Sequence, residues 1–297
     1  MSAGLFYALS AALLWGGYLF GLKRYFAGYP DPVVIVLVDG FALCVYLPVS
    51  TVFGDGFPQT PGFDVATIAL VAGAILFATL GFLTFLRALS SGEVSLVAPV
   101  SKTVPVFVLP LEVAFLGQAF GPLQVAGILV VTAGVYLANY HGGSVLAPLK
   151  NLASSQAAQF ALVSAACYGI GDLAKRVVLQ SAGVPIRLWV PLQFAGIALL
   201  VLPLAARAWA RDTRNDLLTT VYGDLPKFLA AACVVVLAQQ ATAVTFAVTS
   251  ASIASAVINL QAIVAVLLGG VLLGEEHRRT RLVAAALAVV GVVLIAE

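Results

Sequence analysis

Residues 95–117 read SLVAPVSKTVPVFVLPLEVAFLG, a run apolar enough to cross a bilayer that still carries Lys102, Glu112 and three prolines. At 1.5 Å per residue Lys102 stands about 12 Å below the start of its span, close to the midplane. A lone charge there costs at least ~3 kcal/mol on insertion scales, so it must meet a partner, water or a solute. Pro99 and Pro105 each remove a backbone hydrogen bond and free a carbonyl. Inside a membrane, freed carbonyls persist only where protein or a wet cavity satisfies them. The pattern predicts a broken helix that turns Lys102 into an aqueous cavity. Glu112, nearer the end of its span, reads as a snorkelling side chain.

A second stretch repeats the pattern without the charge. Ser252, Ser255 and Asn259 fall at i, i+3 and i+7, one face of a helix. Shifted by 157 residues they coincide with Ser95, Ala98 and Lys102, so Asn259 is the neutral counterpart of Lys102. One cation and one amide suit an anionic or zwitterionic solute. Asp39, about 10 Å into its own span, is also too deep to snorkel. It could neutralise Lys102, bind a substrate amine or carry a proton. Asp172 and Lys175 are i, i+3 neighbours toward the end of a span and read as a structural or gating ion pair. Trp15, Tyr18 and Tyr168 offer rings for stacking, against the alternative of packing or interface anchoring. Gln239 and Gln240 are adjacent and cannot both face one way, and Gln239 is the cavity candidate. GYLFG (17–21) and GVLLG (270–274) are explained by close helix packing.

The elements that must hold these residues follow from composition. The 297-residue chain is 62% hydrophobic and 9% charged, against about a quarter charged in soluble domains. It is an all-α integral membrane protein. A net charge of +2 implies no nucleic-acid partner. Cys44, Cys167 and Cys233 read as small buried hydrophobes with no disulfide pattern. His141 and His277 stand alone, so no metal or other cofactor is expected. The N-terminal span lacks the basic start of a cleaved signal.

Ten spans are expected, near 3–22, 32–53, 65–86, 94–116, 121–139, 157–180, 184–206, 228–248, 251–273 and 280–296. The polar stretch 141–156 divides them into repeats of five, residues 1–140 and 155–297. Gly117 falls on Gly274 and Gly134 on Gly291 at the 157 shift. ALSAALLWG (8–16) lies over ALVSAACYG (161–169), which places Trp15 on Tyr168 and Gly16 on Gly169. With five spans each, the copies insert with opposite orientation. That is the inverted-repeat plan of secondary transporters, whose solute site lies near midplane between the copies.

SLVAPV before a long apolar span, LG and a second span ending in GVxL resembles the EamA repeat, and ALLWGG and LLGEE resemble its other landmarks. The resemblance covers almost the whole chain in two copies. It implies the drug/metabolite transporter superfamily: ten helices around a central cavity for a small metabolite. Bacterial amino-acid exporters of the YddG group belong there, though no motif here singles them out. Such repeats often carry an arginine near the start of the second span, where this chain has Asp39. The expected function is therefore a secondary transporter of a small polar metabolite, foremost an amino-acid-like zwitterion moved outward by alternating access, in a cell inner membrane. The expected partners are a small-molecule substrate, the lipid bilayer and a proton as candidate coupling ion, with a monomer as the simplest assembly. Sugars, nucleotide sugars and drug-like cations are the alternative substrates within that superfamily. An intramembrane enzyme is a different class of reading, but no HExxH, GxSxG or GxxxxGK[ST] occurs. Two arguments disagree on orientation. Eleven Lys and Arg lie in the connections that follow odd-numbered spans, against Lys175, Arg176 and Arg187 on the other side. That bias puts the eleven in the cytoplasm and both termini outside, whereas the resemblance implies both termini inside.

Overall fold

The computed structural model describes residues 3–52, 63–92, 94–138, 155–211, 217–272 and 278–296. Thirteen α-helices form among them: α1 Ala3–Tyr25, α2 Asp31–Val52, α3 Val65–Ser91, α4 Val94–Ser101, α5 Val104–Leu116, α6 Pro122–Ala138, α7 Gln156–Arg176, α8 Ile186–Arg211, α9 Leu217–Gly223, α10 Leu225–Val248, α11 Ala251–Ile258, α12 Gln261–Leu272 and α13 Arg278–Ala296. Eight helical stretches are long and apolar enough to cross a membrane. The apolar runs Pro122–Ala138 and Val283–Ala296 are shorter. A π-helical turn, Val177–Ser181, ends α7, and the short α9 lies inside the polar stretch 207–227.

Local chemistry places the helix ends. Asp64 accepts the Thr67 N–H at 2.9 Å to start α3, and Ser155 accepts the Ala158 N–H at 3.3 Å to start α7. Gly117 closes α5 in the left-handed conformation at φ 60°, and its N–H donates to the Glu112 carbonyl.

The packing follows the two copies. α1 packs on α10 and α12, and its counterpart α7 packs on α3 and α5, the counterparts of those two. α2 and α8 pack on each other, as do α6 and α13. The match extends to single residues. A Cβ on Gly16 would stand 2.8 Å from the Gln261 carbonyl oxygen and 2.5 Å from Val264. A Cβ on Gly169 would stand 3.6 Å from the Val104 carbonyl oxygen and 2.9 Å from Phe107. Gly16 aligns with Gly169 at one shift, and Gln261 and Val264 align with Val104 and Phe107 at the other. Each first helix thus lies against its partner's broken span at the same place.

Two expectations fail here. Gly17 and Gly21 of GYLFG have nothing within 4 Å of a built Cβ. The close approach falls on Gly16 instead, because α1 turns that face to α12. Of GVLLG (270–274), residues 273 and 274 lie outside the described residues. Cys44 and Cys233 are exposed and Cys167 is half-buried. The outer face of a membrane bundle is as apolar as its core, so hydrophobicity does not tell which way such a residue points.

Gly16→Val should lower the melting temperature and the yield of monodisperse protein, since overpacking a filled site costs about 1–3 kcal/mol. Gly17→Val should leave both near wild type. Equal behaviour of the two variants would remove the packing assignment.

Candidate functional site

The broken span is present in both copies. α4 and α5 are separated at Lys102 and Thr103, and α11 and α12 at Asn259 and Leu260. All four helices start at positions related by the 157 shift. Both joints close with tight backbone bonds, Thr103 N–H to Val100 C=O and Leu260 N–H to Val257 C=O, each 3.1 Å. Pro105 opens α5, as a proline at a helix start should. The second joint has no proline, so proline alone does not explain the break. The shared feature is a polar residue at the joint.

Lys102 is half-buried at its joint, and its side chain makes no hydrogen bond or ion pair among the described residues. Asn259 is buried and its side-chain amide is likewise unpaired among them. Asp39, half-buried on α2, forms no ion pair with Lys102, so the pairing considered from the sequence is not made. Asp39 instead lies close enough to Tyr18 to act on it electrostatically. Tyr18 meets the Trp15 ring edge-on, with centroids 5.7 Å apart. Trp15 Nε1 donates to Thr242 Oγ1 at 3.0 Å.

Other candidates are engaged in structure. Gln239 donates to Gln193 Oε1 at 2.6 Å, a buried amide pair between α10 and α8. The Tyr168 ring packs over Gly81 of α3. Asp172 and Lys175 form the expected ion pair at 3.3 Å, with Lys175 Nζ 4.6 Å from the centre of the Phe246 ring. Ser255 Oγ is sealed from solvent without a partner among the described residues. Ser252 faces α5 rather than a cavity.

Glu112 overturns its sequence reading. It does not snorkel: it is fully buried. Its carboxylate accepts the backbone N–H groups of Ala251 and Ser252 at 2.6 and 2.8 Å, and also the Ser252 hydroxyl. It pairs with Arg176, whose Nη2 donates to Gln118 Oε1 at 2.8 Å. The physical reason is the start of α11, whose first N–H groups have no partner within their own helix and favour a carboxylate. One signal could have found this pair. In the ten-span reading of the sequence Glu112 and Arg176 end the fourth and sixth spans, and even-numbered spans would end at one membrane face.

The sequence also missed a polar cluster on α2, α8 and α10. Tyr46 donates to Gln240 Oε1 at 2.9 Å. The Arg187 charge acts on Tyr46, and Arg187 Nη1 is sealed without an acceptor among the described residues. At the other end of α2, Tyr29 donates to Asp224 Oδ2 at 2.9 Å and Lys227 pairs with Asp224 at 2.6 Å. Phe26, Tyr29 and Phe228 pack edge-on beside that contact.

A cavity of about 610 Å³ opens between α1 and α10, against Leu14, Gly17, Tyr18, Gly21, Ala230 and Val234. Its lining is almost wholly apolar, and of the sequence-chosen residues it touches Tyr18 alone. It is therefore a lateral groove beside the site, opened by the two glycines that pack against nothing.

The model of the EamA-like transporter family matches residues 2–140 and again 156–296. No curated protein matches the chain. A solved structure, described only as the crystal structure of a protein, matches over 99% of this chain and 97% of its own, with TM-score 0.75 at 15% identity. That likeness concerns the fold.

The Tyr29–Asp224 contact carries a pH dependence. Donation from Lys227 and Tyr29 holds the Asp224 carboxyl below its usual range. A depressed carboxylate contributes stability that is present above its unfolded value, near 4, and is lost as pH falls through the folded value. Burial first, then the Asp224 bond, pushes the Tyr29 hydroxyl up to about 12. Wild-type melting temperature should therefore drop on acidification below about pH 4. Asp224→Asn should flatten that limb. An identical acid limb in the variant would contradict the assignment.

Proposed function

Because the chain belongs to the EamA-like transporter family, we propose that it is a secondary transporter carrying a small zwitterionic metabolite, of amino-acid type, across a bacterial inner membrane. It is a multi-pass membrane protein. Counting Pro122–Ala138 and Val283–Ala296 with the eight longer stretches gives ten spans, as two five-span copies of opposite orientation. The pairing of α1 with α10 and of α7 with α3 supports that relation.

One observation carries the substrate reading. Lys102 and Asp39 sit half-buried within spans, opposite in sign, and neither has a charged partner among the described residues. Holding two such charges apart inside a bilayer is costly. A solute bearing both a carboxylate and an amine offsets that cost at both ends. Lys102 and Asn259 would receive the carboxylate and Asp39 the amine, with Trp15 and Tyr18 against the side chain. Alternating access follows as the two broken spans rock about their joints, in the outward direction and with a proton as co-ion. Gln239, Tyr168 and Ser255 take supporting places, and Asp172 with Lys175 a gating one. A monomer suffices for this cycle.

The test is counterflow of an amino-acid panel in proteoliposomes. Lys102→Ala should remove exchange of the transported solutes while the protein remains folded and inserted. If the panel is exchanged equally well by the variant, Lys102 does not bind solute. Asp39→Asn should weaken solute-for-solute exchange and lose accumulation driven by a pH gradient. Retention of that accumulation would leave Asp39 as scaffolding.

A further inference from the structure

Glu112 lies on α5 in the first copy and seats the first turn of α11 in the second. The same carboxylate holds Arg176, on α7. Arg176 Nε also donates to Gln180 Oε1 at 3.1 Å, and Gln180 Nε2 donates to the Phe246 and Thr249 carbonyls at 2.7 and 2.9 Å. One chain of hydrogen bonds thus runs from α5 through α7 to the end of α10 and the start of α11. It crosses between the copies at one membrane face. Among the described residues Glu112 has no counterpart at the other face: at the 157 shift it falls on Gly269, which has no side chain to accept a bond. The Tyr29–Asp224 contact at that face uses unrelated residues and is partly exposed.

We propose that Glu112 is a one-sided latch: its bonds to Arg176 and to the α11 start hold the ends of α5, α7, α10 and α11 together and keep this face of the bundle closed at rest. The inference rests on the alternating-access reading above. Any relative motion of the two copies that opens this face must separate α5 from α11, and so must strip a buried carboxylate of its donors. Bonds to a charged group are the expensive ones to break. The resting population is therefore biased toward closure here.

The experiment places spin labels at Phe115 and Val248, which are 74% and 58% exposed at the outer surface of this end. The three native cysteines are replaced and the full chain is kept in lipid nanodiscs. Wild type should give one narrow distance distribution. Glu112→Gln loses the ion pair while keeping an oxygen to accept the α11 N–H groups. It should raise the longer-distance population about tenfold, as expected for loss of a charged hydrogen bond. Arg176→Gln leaves the carboxylate on α11 and serves if the first variant folds poorly; it should move the distribution in the same direction. Labels at the opposite face, on Tyr25 and Tyr222, should not open in either variant. Unchanged distributions in both variants, or equal opening at both faces, would overturn the latch. The measurement needs no transport. A wild-type protein that moves no solute in liposomes would instead sink the transporter reading and leave this result standing.

Discussion

Hydrocarbon offers no hydrogen bonds, so every backbone polar group within the bilayer must be satisfied by the protein itself. That constraint makes the two joints, at Lys102–Thr103 and Asn259–Leu260, the informative places in the chain. A helix can be interrupted at such depth only where neighbours or a wet space take up what the interruption frees. Here the tight turns to Val100 and Val257 take up part of it. The close seats of α1 and α7, made possible by Gly16 and Gly169, hold the broken spans on either side.

The second copy shows which features of the first are causes. Proline at 99 and 105 suggested that proline breaks the helix, yet the equivalent span breaks at the same position without one. What persists is the position, the polar residue and the glycine-seated neighbour. Divergence between the copies then assigns tasks. Lys102 against Asn259 gives the interior one cation. Glu112 against Gly269 gives the first copy's broken span a buried carboxylate where the second copy's has none at the aligned position. A symmetric frame with unsymmetric charges is suited to a cycle whose two end states differ in energy.

Much of the fold was legible because membrane spans announce themselves by length and apolarity, and because the copies could be aligned on Gly117, Gly134 and Gly16. The broken span followed from Lys102 and its prolines. The partners of individual side chains were not legible. Glu112 read as snorkelling because a sequence gives depth along one helix and says nothing of the helix beginning beside it. Gly17 and Gly21 read as packing because the pattern is the same whether the groove is filled by a neighbour or left open. Gln239 looked free because Gln193 lies 46 residues away. The three cysteines looked buried because inside and outside are equally apolar. In each case the missing quantity was rotation about the helix axis, which tertiary packing sets.

The central claim is that the joints at 102 and 259 border one aqueous space that opens to one side at a time. Single cysteines at these two positions, in a background without Cys44, Cys167 and Cys233, test it most directly in sealed vesicles of defined orientation. A membrane-impermeant thiol reagent should modify both cysteines from the same side of the membrane. Modification of one without the other, or protection of both from either side under all conditions, would mean that no shared cavity joins the two copies.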